Sequence, residues 1–244
     1  MTKNKTILII GAKSDIAIAV AYKFASKGWD LQLTSRNCSE LKLLVKDIKI
    51  RYEVNISVYE LDILNFDSFE DILDSLNCLP EIALCSVGLL GKQKDNETDL
   101  LSSLLSMKTN YIGPSLLFGE IANRFEKRGF GSIIGISSVA GDRGRASNYI
   151  YGSAKSGFSA YLSGLRNRLY KSNICVLTVL PGFVKTKMLD GINTPQLITS
   201  NPEEIAKLIY KNCFKSKVVY PYPWQFILFI VKLIPEQIFK KLNL

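Results

Sequence analysis

TILIIGAKSDIA, residues 6–17, is the stretch on which the fold turns. Thr6–Ile10 is a short, largely apolar run bounded by a glycine, the pattern of a strand buried on both faces. Gly11 ends that run, and a helical periodicity starts near Ser14 or Asp15. A strand, a glycine turn and a helix in direct succession open a βαβ unit.

The same alternation continues down the 244-residue chain. DLQLT (30–34), ISVYEL (56–61), IALCSV (82–87), SIIGIS (132–137) and ICVLTVL (174–180) read as further buried strands. Helical patterns lie between them, at about 15–28, 39–52, 66–76, 98–128 and 147–171. One more follows at 202–214, opened by Asn201-Pro202-Glu203-Glu204, with proline at the first helical position and acids in the first turn. The expected architecture is α/β: one doubly wound domain, a mostly parallel sheet of about seven strands and helices on both faces. No repeat, low-complexity stretch or linker interrupts it. The domain is expected over 1–220, with a hydrophobic, basic C-terminal segment over 221–244.

Composition narrows the function. The net charge of +9 suits anionic ligands or an acidic membrane surface. The basic residues are scattered rather than gathered in a stripe, which argues against nucleic acid. Five cysteines without CxxC spacing read as free thiols in a reducing compartment, and no metal site is expected in a chain without histidine. The apolar part of the N-terminus is too short for a signal-peptide core, so a cytoplasmic protein is expected.

In a doubly wound sheet, ligands bind beyond the carboxyl ends of the strands, where a helix N-terminus receives phosphate. Gly11, Lys13, Ser14, Asp15 and Ile16 are the candidates there. Asp15 reads as a helix cap whose charge disfavours a phosphate set very near it, offset by Lys13 and Arg36. Arg36 follows the second strand, where an acid would select NAD and an arginine accepts the 2′-phosphate of NADP. The bland alternative for Arg36 is a solvated loop arginine.

Tyr151 and Lys155 share one face of the helix expected over 147–171, in a chain with no histidine for acid–base work near neutral pH. The lysine ammonium is expected to favour the ionised phenol. By themselves they are an aromatic and a cation on an amphipathic helix. Their company includes Ser138 in GISSVAG, Asn110 in MKTNYIG and the segment LPGFVKT.

These motifs, in this order and spacing, resemble those of the short-chain dehydrogenase/reductase family, over roughly residues 5–220. The chain departs from the family in GAKSDIA, where Asp15 and Ala17 replace two of three glycines, and in CSVG (85–88), where only Gly88 matches. The resemblance implies a Rossmann-type domain and a nicotinamide-dependent oxidoreductase acting on a carbonyl, or on an alcohol in reverse. It implies Tyr151 as proton donor, Ser138 as partner of the substrate oxygen, Lys155 as stabiliser of tyrosinate and holder of the ribose, and Asn110 as the end of a proton relay. It further implies that Asp62 meets the adenine and that Pro181, Gly182, Val184 and Thr186 face the nicotinamide. Gly88 reads as leaving room for the cofactor. A lid is implied over 187–200, and homodimers or homotetramers through helices near 109–128 and 147–171.

Arg143 and Arg145, between Ser138 and Tyr151, either meet an anionic substrate or are solvated loop charges. The tail YPWQFILFIVKLIPEQIFKKLNL is too short in its apolar part to span a bilayer. Residues 222–244 read as an interfacial helix, with Tyr222 and Trp224 at headgroup level and Lys240 and Lys241 toward anionic lipid. Packing on the protein's own core or on a second subunit is the equal alternative. The tail and Asp15 resemble reductases similar to decaprenylphosphoryl-2-ketoribose reductase, which implies a lipid-linked keto-sugar at the inner membrane face. A soluble carbonyl or 3-oxoacyl reductase and, more remotely, a non-catalytic dinucleotide sensor are the rival readings.

Overall fold

The computed structural model describes residues 5–191 and 193–242. Residues 1–4 of the expected domain, Ile192 of the expected lid and residues 243–244 of the tail lie outside the described residues. Strands β1 (Thr6–Ile10), β2 (Asp30–Ser35), β3 (Ile56–Glu60), β4 (Ile82–Cys85), β5 (Gly131–Ile136) and β6 (Ile174–Val179) fall where the apolar runs predict them. β7 (Phe183–Val184) and β8 (Thr199–Ser200) form a separate small pair, and β9 (Lys217–Val219) completes the main sheet. These last three are too short to carry a pattern of their own.

The main sheet runs β3-β2-β1-β4-β5-β6-β9 with every pairing parallel. Because successive side chains point to opposite faces, each strand feeds two cores. Ile7, Ile9, Leu31, Leu33 and Leu84 pack against α1 (Asp15–Ala25), α2 (Lys42–Arg51) and, nearer the β6 edge, α8 (Pro202–Asn212). Leu8, Ile10, Ala83, Cys85 and Ile133 pack on the other face. Their partners come from α3 (Phe69–Asp74), α6 (Gly113–Arg128) and α7 (Tyr149–Arg168). This is a single Rossmann-like domain with helices on both faces.

α8 starts as its sequence predicts: Pro202 is at the first position, and a capping box joins Asn201 and Glu204, with Asn201 N donating to Glu204 Oε2 at 3.0 Å. The single helix expected over 98–128 is divided instead. α4 (Gln93–Thr98) stops at Asp99, whose carboxylate accepts from Leu101 N and Ser102 N and so caps α5 (Leu100–Met107). A π-helical turn, Lys108–Ile112, then joins α5 to α6. Beyond β9 the tail forms α9 (Trp224–Leu233) and α10 (Glu236–Phe239). No described helix is long and apolar enough to cross a membrane.

Strand order reverses between β1 and β4, whose first crossovers go to opposite sides. The crevice beyond the carboxyl ends of these two strands is where such sheets take ligands.

Candidate functional site

The segments following β1, β4, β5 and β6 enclose one cavity of about 1350 Å³. The catalytic and cofactor candidates from Gly11 to Thr186 line it, with the exception of Asn110; Arg145 lines it too, whereas Arg143 does not.

At the nucleotide end, Gly11 has φ +78°, and a Cβ there would lie 2.8 Å from Val87 Cγ2. Only glycine gives β1 this close turn onto the β4 loop. The cap of α1 is Ser14, not Asp15: Ser14 Oγ accepts from Ala17 N at 3.1 Å and pairs with Ser86 Oγ at 2.6 Å. The Asp15 carboxylate turns instead to the segment after β7, accepting from Lys187 N at 2.8 Å. Nor does Lys13 offset Asp15, because its ammonium pairs with Glu40 at 2.5 Å. Both partners are well exposed, so that pair contributes little to stability. Asp62 accepts from Leu64 N at 3.0 Å beside the same end of the cavity.

At the other end, Ser138 follows β5 and Tyr151 and Lys155 lie on α7. Ser137 holds that helix to the strand, donating from Oγ to Lys155 O at 2.8 Å and accepting from Ser159 Oγ at 2.8 Å. The Ser138 side chain accepts from Ala140 N and hydrogen-bonds the Tyr151 phenol. Burial pushes the phenol up to about 12, opposed by the Ser138 bond. It pushes the Lys155 ammonium down to about 8. The expectation that Lys155 lowers Tyr151 therefore fails here, for a physical reason. Lys155 Nζ donates to Ile136 O at 3.2 Å and Val87 O at 3.4 Å, and desolvation outweighs any field it exerts on the phenol. Its Nζ lies 5.8 Å from the Tyr151 ring centre.

Asn110 is fully buried on the π turn, behind the cavity wall. Its Nδ2 donates to Leu89 O at 2.7 Å and Ser106 O at 2.9 Å, and its Oδ1 accepts from Leu89 N at 3.0 Å. Gly88 sits between it and Lys155: a Cβ there would be 3.4 Å from Asn110 Oδ1 and 3.6 Å from Lys155 Nζ. The missing side chain leaves the lysine open to the cavity.

The tail corrects two sequence expectations. Trp224 is 5% exposed and lines the cavity; its Nε1 donates to Ile198 O at 2.8 Å, and it packs edge-on against Phe183. Its indole takes the space a side chain at Gly182 would need. It is a wall of the site, not a headgroup anchor. Arg143 is not a substrate residue either. It donates to Val231 O and Ile234 O at 2.6 and 2.7 Å, pairs with Glu236 at 2.9 Å and stacks on Phe239. It caps the end of α9, where the carbonyls seek a cation. Sequence reading also missed Asn148, which lines the cavity at the start of α7.

The residues fit a nicotinamide dinucleotide. A glycine turn without a Cβ faces the start of α1, whose first amides lack helical partners. A buried lysine with space beside it stands at the far end of the same cavity. All five cysteines are free, and no metal-binding cluster occurs among the described residues.

Comparison with known proteins agrees. A family model described as short chain dehydrogenase matches residues 5–197. An uncharacterised oxidoreductase of Mycobacterium tuberculosis is 28% identical over 241 residues, covering 97% of this chain and 96% of that protein. The 3-oxoacyl-[acyl-carrier-protein] reductase FabG of Aquifex aeolicus is 25% identical, covering 86% and 90%. A solved short-chain dehydrogenase from Sphingobium yanoikuyae, in complex with NADPH, superposes with a TM-score of 0.81 at 23% identity, over 95% of this chain and 97% of that one. This chain belongs to the short-chain dehydrogenase family. It is an NAD(P)-dependent oxidoreductase.

Proposed function

We propose that the protein is an NADPH-dependent carbonyl reductase acting on a keto-sugar carried by a lipid, at the inner face of the cytoplasmic membrane. The observation that carries the reductase reading is one cavity shared by Arg36 at one end and Ser138, Tyr151 and Lys155 at the other. In this reading residues 1–220 form the catalytic domain and 221–244 a membrane-facing segment.

Arg36 would hold the 2′-phosphate of NADP, Gly11 with the Ser14, Asp15 and Ile16 turn the pyrophosphate, and Asp62 the adenine. Lys155 would hold the nicotinamide ribose, and Pro181, Gly182, Val184 and Thr186 the carboxamide. When bound, the nicotinamide supplies the hydride. Tyr151 gives its proton to the carbonyl oxygen, and a phenol near 12 is in the donor form at neutral pH. Ser138 donates a hydrogen bond to that same oxygen. Lys155 stabilises the tyrosinate left behind, and Asn110 completes the relay behind it.

The outer face of α9 supports the membrane part. Trp224 and Leu228 face inward, while Phe226, Phe229, Ile230 and Leu233 are 63%, 66%, 63% and 67% exposed. Such an apolar surface beside Lys240 and Lys241 fits a lipid interface. Removing the whole tail would also strip Trp224 from the cavity, so the test replaces the outer face alone. F226Q/F229Q/I230Q/L233Q is expected to keep NADPH binding and to lose both sedimentation with anionic vesicles and turnover of a prenyl-phosphate-linked keto-sugar. Unchanged sedimentation and turnover would reject the lipid reading in favour of a soluble 3-oxoacyl-type reductase, for which the FabG relative speaks. The exposed α5 leucines Leu100, Leu101, Leu104 and Leu105, with Tyr111 and Leu116, support assembly as a dimer or tetramer.

A further inference from the structure

The chain has eight arginines, and six have their guanidinium groups engaged: Arg51 with Asp47, Arg124 with Asp74, Arg128 with Leu79 O and Phe130 O, Arg143 with the tail, Arg166 with Val176 O and Thr178, and Arg168 with Glu126. Arg36 and Arg145 alone have no guanidinium partner among the described residues, and both line the cavity. Arg36 is at the nucleotide end. Arg145 is on the loop between Ser138 and Tyr151, at the reactive end, and is half-buried. Partly desolvating a guanidinium with no anion beside it costs free energy, and that cost is recovered when an anion arrives.

A second unmet group lies three residues on. Asn148 is placed to cap α7, yet its side chain makes no capping bond. Its Oδ1 is buried without a hydrogen-bond partner, and the residue lines the same cavity. A buried acceptor left open calls for a donor. The loop carrying both residues is clamped from outside, by Arg143 on the end of α9 and by Lys232 to Asp142 at 3.1 Å. The loop backbone is thus anchored at 142–143, just before the two free groups.

We infer that Arg145 and Asn148 are specificity residues for a substrate bearing both an anionic group and a hydroxyl donor, as a phosphorylated keto-sugar does. Arg145 takes the anion through its planar fork and Asn148 accepts from a hydroxyl. This inference rests on the reductase reading and narrows its substrate.

The test measures binding of D-ribulose 5-phosphate and D-ribulose by quenching of NADPH fluorescence. It uses the full-length, NADPH-loaded protein carrying Tyr151→Phe, which turns over too slowly to consume the cofactor, with the Arg145 and Asn148 variants made in the same background. Expected is tighter binding of the phosphorylated sugar, weakened roughly 10–100-fold by R145Q while D-ribulose changes little. R145K should fall between, because a point charge replaces a fork, and N148A should weaken both sugars alike. Displacement by inorganic phosphate would support a soluble phosphate and displacement only by dodecyl phosphate a lipid-borne one; displacement by neither would overturn the inference. So would equal affinity of the two sugars, or no change in R145Q and R145K. Loss of the reductase reading itself would look different: no NADPH binding, or turnover indifferent to Tyr151→Phe.

Discussion

The two ends of the cavity are built in opposite ways. The nucleotide end is made by the strand-to-helix turns of the sheet, with Gly11, Ser14 and Ser86 locked by backbone geometry and short hydrogen bonds. The substrate end is made by pieces far apart in sequence: the 142–148 loop, the β7–β8 pair and Trp224 from the tail. The first end is a consequence of the fold. The second depends on how surface segments happen to pack, and there selectivity can be altered without disturbing the sheet.

Variants at the two ends should therefore fail differently. The largest effect is expected from Tyr151→Phe, which removes the proton donor and should cut turnover by about 10²–10⁴ while NADPH still quenches and binds normally. Wild-type turnover in this variant would end the proposed chemistry. Next is Lys155→Met, read through stability rather than activity. The folded lysine titrates near 8 and the unfolded one near 10.5, so the unfolded chain holds more protons between those values and the parent gains stability as pH rises through them. Methionine carries no such cost. Its advantage in urea unfolding should shrink by about 3 kcal/mol between pH 8 and 10.5. Cys85, its thiol pushed up to about 11 by burial and freed of the lowering field of Lys155 in the variant, stays mostly protonated across this window in both proteins. A pH-independent difference would show that the ammonium is not buried in solution.

Arg36→Ala sharpens the cofactor assignment: NADPH affinity should fall roughly 10–100-fold and NADH affinity hardly at all. Equal losses for both cofactors would place Arg36 away from the 2′ group. The smallest effect is expected from Trp224→Phe, which keeps the packing on Gly182 but loses the bond to Ile198 O, at about 1 kcal/mol in thermal or urea unfolding. Its signature should be a raised KM for the carbonyl substrate with NADPH affinity unchanged, since only the substrate end is touched.

The same division decides what could be read from the sequence. Five of the six strands were legible because both their faces are buried, which forces short continuous apolar runs; β3, expected to be buried like them, is instead the half-exposed edge strand of the sheet. Tyr151, Lys155 and Ser138 were singled out by the resemblance their order and spacing carry, not by spacing alone, and Arg36 by its place after β2; all four line the one cavity. The tail was not. FILFIV is apolar all round, so no periodicity separates inward Leu228 from outward Phe226 and Phe229; only the partner surface does. Arg143 and Arg145 are two residues apart in one polar loop, and nothing local says that one caps a helix 88 residues later while the other enters a cavity. The proton affinity of Tyr151 was misjudged because charge proximity is visible in a helical spacing and desolvation is not.

The β7–β8 pair bears on how such a protein diverges. Lys185 N donates to Ser200 O at 2.9 Å, so the intervening segment leaves and returns to one point on the scaffold. A loop whose ends are already joined pays only logarithmically for length, about 0.6 kcal/mol for a doubling. The roof of the substrate end can thus gain or lose residues while the sheet and the nucleotide end stay as they are. Insertion there is the cheap route by which one scaffold acquires a new substrate.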